Sequence, residues 1–183
     1  MSASAARIRA AVAAFGAATV LAVSGCAQAP TEPVKEPDPQ LVPPADKAVV
    51  DRVVDGDTLI IKGQGKPLRV RLIGVDAPES VKPDSPVECY GPESAQFLKE
   101  LLPAGSQVRL EADLVAGDKD QYGRLLRTVF TKDGSNVSVA IATAGMGREY
   151  IYQNKPSRYA EEIRTGQARA QQSGAGLWSA CSR

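Results

Sequence analysis

Apolar and polar positions along the chain divide it into short strands and helices. Val49-Val50 and Val53-Val54 lead into an Asp55-Gly56-Asp57 turn, residues 58–62 leave it, and Gly63-Gln64-Gly65 links to a further alternating run. In that run Leu68, Val70, Leu72 and Val75 are interleaved with charge, as in a half-buried strand, until Pro78 stops it and holds Ala77 extended. The pattern predicts a three-stranded meander. Pro, Ser and charge then dominate as far as Tyr90, which reads as a surface loop. Pro92 suits a helix start, and Ala95, Leu98 and Leu102 repeat at helical spacing until Pro103. Residues 107–114 and 125–131 read as two more strands. Ser138 is placed to cap a short helix carrying Val139, Ala140, Ile141 and Ala144, closed by Gly145. A last helix is expected from about Pro156 and Ser157, with Tyr159, Ile163 and Ala170 on one side and Arg158, Glu161, Glu162, Arg164 and Arg169 on a solvated face.

Five strands, with helices after the third and after the fifth, point to a small five-stranded OB-fold barrel with about three helices. The folded part is expected over residues 48–183. Ahead of it, Arg7 and Arg9 precede an apolar run at residues 10–23, too short to span a bilayer comfortably, and Val23-Ser24-Gly25-Cys26 follows. Residues 1–25 therefore resemble a bacterial lipoprotein signal peptide with lipid added at Cys26; the alternative is an ordinary secretory signal cleaved near Ala27 or Ala29. Both imply export. Residues 26–47 hold Pro30, Pro33, Pro37, Pro39, Pro43 and Pro44, a composition that favours an extended tether and cannot build a core.

With 183 residues there is room for one ordinary domain plus these appendages. The formal charge of +1 gives no global footprint for a polyanion, so any affinity for nucleic acid must come from a local cluster. The absence of histidine excludes a Ser/His/Asp triad, a His-based ribonuclease mechanism and the commonest zinc sites, and three cysteines cannot form a four-cysteine zinc site. Carboxylates, arginines and tyrosines remain, a set suited to an oxygen-ligated cation. If Cys26 carries lipid, Cys89 and Cys181 are left as an even pair, for which a disulfide is the default in an exported protein.

The charged residues gather at one strand end. Arg71, Asp76 and Glu79 leave it within a few residues of one another and offer a phosphate-binding fork, a hard-cation ligand and a candidate general base. Taken singly such motifs are weak: D-G-D is usually only a turn, and Y-G-R usually a turn with an exposed cation. Their combination is more specific. Asp55-Gly56-Asp57-Thr58, the run from Arg71 through Asp76-Ala77-Pro78-Glu79, Tyr90-Gly91-Pro92-Glu93, Asp120-Gln121-Tyr122-Gly123-Arg124-Leu125 and Gly176-Leu177-Trp178 follow in order. From about residue 49 to 178 the chain resembles the staphylococcal nuclease (thermonuclease) family.

The resemblance implies an OB-fold enzyme that hydrolyses DNA and RNA phosphodiesters with Ca2+ and leaves 3′-phosphate ends. It implies Asp57, Asp76 and the Ala77 carbonyl as calcium ligands, Arg71 and Arg124 as phosphate-binding arginines, and Glu79 as the glutamate that activates or positions water. Tyr122, Tyr150 and Tyr152 match tyrosines lining the nucleotide pocket. The chain departs from the family at Ala77, often Thr, and at Gln121, often Lys; one lysine in the loop at residues 81–87 replaces several. These changes weaken long-range attraction for polyanions more than the chemical step. A monomer is expected. The competing reading is a non-catalytic OB-fold module binding oligonucleotides or other anions at the cell surface, since this fold serves both. A water-activating carboxylate such as Glu79, whose charge repels a phosphate, favours the enzyme.

Overall fold

The computed structural model describes residues 45–63, 66–81 and 85–181. The signal sequence, Cys26 and the tether as far as residue 44 lie outside the described residues. Strand β1 (Ala45–Asp55) begins within the stretch assigned to the tether, because residues 45–49 already pair with a later strand.

β1 is long enough to serve two partners. Its first half pairs antiparallel with β5 (Gln107–Glu111), and its second half with β2 (Thr58–Lys62). Register irregularities between Val50 and Arg52 and between Val53 and Asp55 accompany that change of partner, as bulges do where a strand must bend. β3 (Pro67–Leu72) pairs antiparallel with β2 and parallel with β6 (Leu125–Phe130), which returns antiparallel to β5. The result is a closed barrel of order β1-β2-β3-β6-β5, the five-stranded barrel expected. Inward positions of every strand supply its filling: Val50, Leu59, Ile61, Val70, Leu72, Val108, Leu110 and Val129 are buried.

Helix α1 (Gly91–Leu101) adds Leu98 to that core. It has proline in its first turn with Glu93, and Lys99 in its last, each charge at the end that its macrodipole favours. α2 (Val137–Thr143) contributes Val137 and Ile141, and α3 (Ala160–Ser173) buries Ile163, Gly166 and Ala170. A short α4 (Leu177–Ala180) makes four α-helices among the described residues, in line with the expected barrel with about three. Cys89 and Cys181 form the disulfide, with Cα atoms 5.9 Å apart. No helix among the described residues is long and apolar enough to cross a membrane.

Several local expectations differ. The run read as one strand through Val75 breaks after Leu72, where Gly74 takes φ 83, and resumes as β4 (Val75–Asp76), paired with β7 (Arg148–Glu149). Alternation alone could not show that break, since a glycine turn preserves the apolar spacing. β5 stops at Glu111, not residue 114. Asn136, not Ser138, caps α2: its side chain accepts from Ser138 N and Val139 N, while the buried Ser138 hydroxyl donates to Ile73 O (2.8 Å). α3 starts at Ala160, and Arg158 leaves the predicted solvated face to meet the buried Glu111 (3.2 Å).

Candidate active site

The site forms where β2 and β3 end together. Thr58 stands opposite Arg71 in the ladder, and Leu72 N donates to Asp57 O (2.9 Å), which fixes the D-G-D turn beside the end of β3. The buried Asp57 carboxylate then has three partners. Its Oδ1 accepts from the Thr58 hydroxyl (2.9 Å), while its Oδ2 accepts from Ala77 N (3.0 Å) and meets Arg71 Nη2 (3.1 Å).

Arg71 holds the broken strand together. Its Nη1 donates to Leu72 O (2.8 Å) and Val75 O (2.7 Å), spanning the turn at Gly74, and Nη2 donates to Asp76 Oδ1 (2.6 Å). With its side chain only 11% exposed, this planar fork brings two carboxylates and two carbonyls to one place, which an ammonium group could not do. Loss of solvent around Asp76, reinforced by repulsion from Asp57 and Glu88, raises its carboxyl above the usual range against the pull of Arg71. That side chain is nevertheless 58% exposed, so solvent screens the effect.

Glu79 follows one residue after Pro78. Its Oε1 accepts from Ser80 N (3.0 Å) and Val81 N (2.9 Å), which orients the carboxylate on its own loop. Asp55, from the end of β1, lies against it: burial and the neighbouring Glu79 carboxyl push Asp55 up to about 6, against hydrogen bonds from Ser80 and Gly56 that act the other way. The Ser80 hydroxyl donates to Asp55 Oδ1 (2.6 Å).

Arg124 arrives at the start of β6. Its Nε donates to Asp120 Oδ2 (2.6 Å), and Asp120 Oδ1 accepts from Arg124 N (3.0 Å) and Tyr122 N (2.9 Å), so one carboxylate shapes the Y-G-R turn and holds its guanidinium. Burial works to raise Asp120, but these bonds outweigh it and keep the carboxyl below its usual range. Arg124 Nη1 reaches the Thr58 hydroxyl (3.5 Å), itself bonded to Asp57, so Arg71 meets this aspartate directly and Arg124 through Thr58.

The structure thus brings together Arg71, Asp57, Asp76 and Ala77, with Arg124 joined to them through Thr58, while Glu79, three residues after Asp76, turns its carboxylate to Ser80, Val81 and Asp55. Tyr122 lies at the rim, 75% exposed, with the Arg124 guanidinium 5.5 Å over its ring. Tyr150, also exposed, sits beside the Gly74 turn through its N–H to Gly74 O (2.9 Å). Tyr152 stands apart in a 3-10 turn (Tyr152–Asn154), where its hydroxyl accepts from Gln153 (3.2 Å), and no contact with the charged cluster is recorded among the described residues. Sequence reasoning gave no role to Asp55, Thr58, Ser80, Glu88 or Asp120. Asp55, Thr58 and Asp120 stood inside the quoted motifs, Asp120 four residues before an arginine across a glycine turn, whereas Ser80 and Glu88 carried no local signal.

Both Asp57 and Asp76 reach the same Arg71 nitrogen, so two carboxylates converge on one positive charge. No group of three His, Cys, Asp or Glu side chains able to hold a metal occurs among the described residues. Two carboxylate groups are oxygen donors of the kind that suits a hard cation keeping several waters, and no soft metal.

A family model described as staphylococcal nuclease homologue matches residues 69–180, which leaves Asp57 just upstream of the match. The chain is 42% identical over 132 residues to the thermonuclease of Staphylococcus hyicus, spanning 71% of this chain and 74% of that protein. It is 42% identical over 130 residues to the thermonuclease of Staphylococcus intermedius, with the same coverage. Endonuclease YncB of Bacillus subtilis is 35% identical over 132 residues, 71% of this chain and 60% of that protein. The closed barrel is the architecture implied by the motifs, and matches of this extent run through it almost to its end: the chain belongs to the staphylococcal nuclease homologue family.

Proposed function

We propose that this protein is an exported nuclease, anchored by lipid at Cys26, that hydrolyses DNA and RNA phosphodiesters with calcium and leaves 3′-phosphate ends. It acts as a monomer at the extracytoplasmic face of the cell membrane, with residues 26–44 as spacer. The observation that carries the reading is the gathering of Arg71 and, through Thr58, Arg124 at Asp57 and Asp76, on a segment that leads within three residues to Glu79.

Hydrolysis adds a water oxygen to phosphorus, breaks the bond to the 5′ oxygen and returns a proton to that oxygen. Negative charge accumulates on the non-bridging oxygens, so donor forks that fit the transition state better than the ground state lower the barrier. Arg71 and Arg124 supply such forks from two sides. Glu79, kept off the phosphate by its bonds to Ser80 and Val81, accepts the proton of the attacking water. Asp57, Asp76 and the Ala77 carbonyl would hold calcium, which supplies Lewis-acid stabilisation and offsets the repulsion between carboxylates and phosphate. Few protein ligands imply a Kd on the order of 10⁻⁴ to 10⁻³ M, workable outside the cell.

The test incubates protein lacking residues 1–25 with single- and double-stranded DNA and RNA, in calcium or in chelator, and identifies the ends. Calcium-dependent cleavage to 3′-phosphates is expected, with Glu79→Gln slower by about 10²- to 10⁴-fold. Binding without cleavage, or cleavage indifferent to chelator, refutes the proposal.

A further inference from the structure

The Cys89–Cys181 disulfide joins two segments that each touch the candidate site. On one side, Glu88 precedes Cys89 and forms a reciprocal pair with Glu79: Glu88 N donates to Glu79 O (2.9 Å), and Glu79 N donates to Glu88 Oε2 (3.1 Å). Gly91 N donates back to Glu88 O (3.0 Å), and Tyr90 adopts φ 72, so residues 88–91 make a tight turn into α1. A side chain at Gly91 would lie 2.5 Å from Glu79 O, so the backbone of this turn presses directly on the residue that carries the candidate base. Tyr90 has no glycine to ease its left-handed backbone, a strained conformation that persists only where neighbouring structure enforces it.

On the other side, Cys181 ends α4. That helix is fixed to the turn after α2 through Leu177 N donating to Gly145 O (2.9 Å) and to β7 through Trp178, over whose ring the Arg148 guanidinium lies at 4.6 Å. Arg148 belongs to β7, where it pairs with Asp76 of β4. One short helix therefore braces the site at two points, reaching Asp76 through β7 and Glu79 through the disulfide and Glu88.

We propose that the disulfide and Glu88 are a positioning device for Glu79: they fix its peptide unit, and with it the direction of its carboxylate, against the body of the barrel. Glu88 is a positioning residue rather than a catalytic one, since it meets Glu79 through the backbone. This inference rests on the proposed nuclease reading. Local misplacement of a reacting group by about 1 Å can cost on the order of 10²-fold in rate, so a brace on this backbone reads out in turnover.

The experiment compares the full mature protein with Glu88→Ala, Glu88→Gln and the double variant Cys89→Ser/Cys181→Ser, each measured well below its own melting temperature. Steady-state hydrolysis of an oligonucleotide in saturating calcium is followed, together with amide hydrogen exchange at Glu79. Glu88→Ala and the double serine variant should lower kcat by about ten- to a hundredfold with KM unchanged. Glu88→Gln, which keeps an acceptor oxygen for Glu79 N, should restore most of the rate. Exchange at the Glu79 amide should quicken in the first two variants and not in the third, and this readout does not depend on turnover. An inactive wild type with the expected exchange pattern overturns the nuclease reading and supports the brace. Unchanged exchange and kcat in the double serine variant, or a loss confined to KM, overturns the brace and leaves the nuclease reading standing.

Discussion

Replacing Arg71 by lysine keeps the charge and removes the fork, which isolates what the planar guanidinium does. In the folded protein Nη1 serves the Leu72 and Val75 carbonyls while Nη2 serves Asp57 and Asp76, from a side chain 11% exposed. A lysine ammonium radiates its donors from a single point and can satisfy one of these pairs at a time. If it stays with the carboxylates, two hydrogen bonds from a charged donor to carbonyls across the Gly74 turn are lost. Each contributes about 1.5 to 3 kcal/mol net, so the expected loss is about 3 to 6 kcal/mol, with little discount for screening. At an m-value of about 2 kcal/mol per molar urea, the unfolding midpoint should fall by about 1.5 to 3 M with m unchanged. Trp178 is the single tryptophan and lies against Arg148 of β7, so its fluorescence reports the transition. The same variant should lose about 10²- to 10³-fold in phosphodiester hydrolysis, as for removal of one preorganised donor from a transition-state site. A midpoint and rate both equal to the wild type would refute the argument that the fork, not the charge, organises this site.

Asp55→Asn should stabilise the calcium-free protein. Asp55 titrates at about 6 in the fold against an ordinary 3.8, so between these values the unfolded chain has released a proton that the folded one retains, and stability falls as pH rises through this window. The variant, whose Oδ1 still accepts from Ser80 and Gly56, should match the wild type below about pH 4 and exceed it by about 3 kcal/mol above pH 6 in urea titrations; a difference independent of pH would contradict this. Asp120→Ala should free the Arg124 guanidinium and lower kcat/KM by about tenfold with calcium affinity unchanged, measured by steady-state kinetics and calcium titration; normal kinetics would show that Arg124 needs no clamp. Cys26→Ala should move the protein out of the membrane fraction, because stable attachment depends on buried acyl chains; unchanged fractionation would rule out the anchor.

The sequence by itself determined the five barrel strands and the approximate helices, because these follow from local periodicity and turn chemistry, and it pointed to the pairing of Cys89 with Cys181 once Cys26 is set aside. It also singled out Arg71, Asp57, Asp76, Glu79 and Arg124, since each stands in a short motif at a strand end or turn. Tertiary structure decided how those residues meet. The break at Gly74 lets Arg71 fold back on Val75 and Asp76, and it is legible only once β4 finds β7, more than seventy residues away along the chain. Asp55 against Glu79, Thr58 between the two arginines and Glu88 beneath the Glu79 backbone are contacts between elements whose separate sequences hold no record of one another. Hydrophobic alternation specifies which face of a strand turns inward; where two polar ends converge depends on barrel closure, bulges and the angle at which helices dock, which arise only when the whole chain packs.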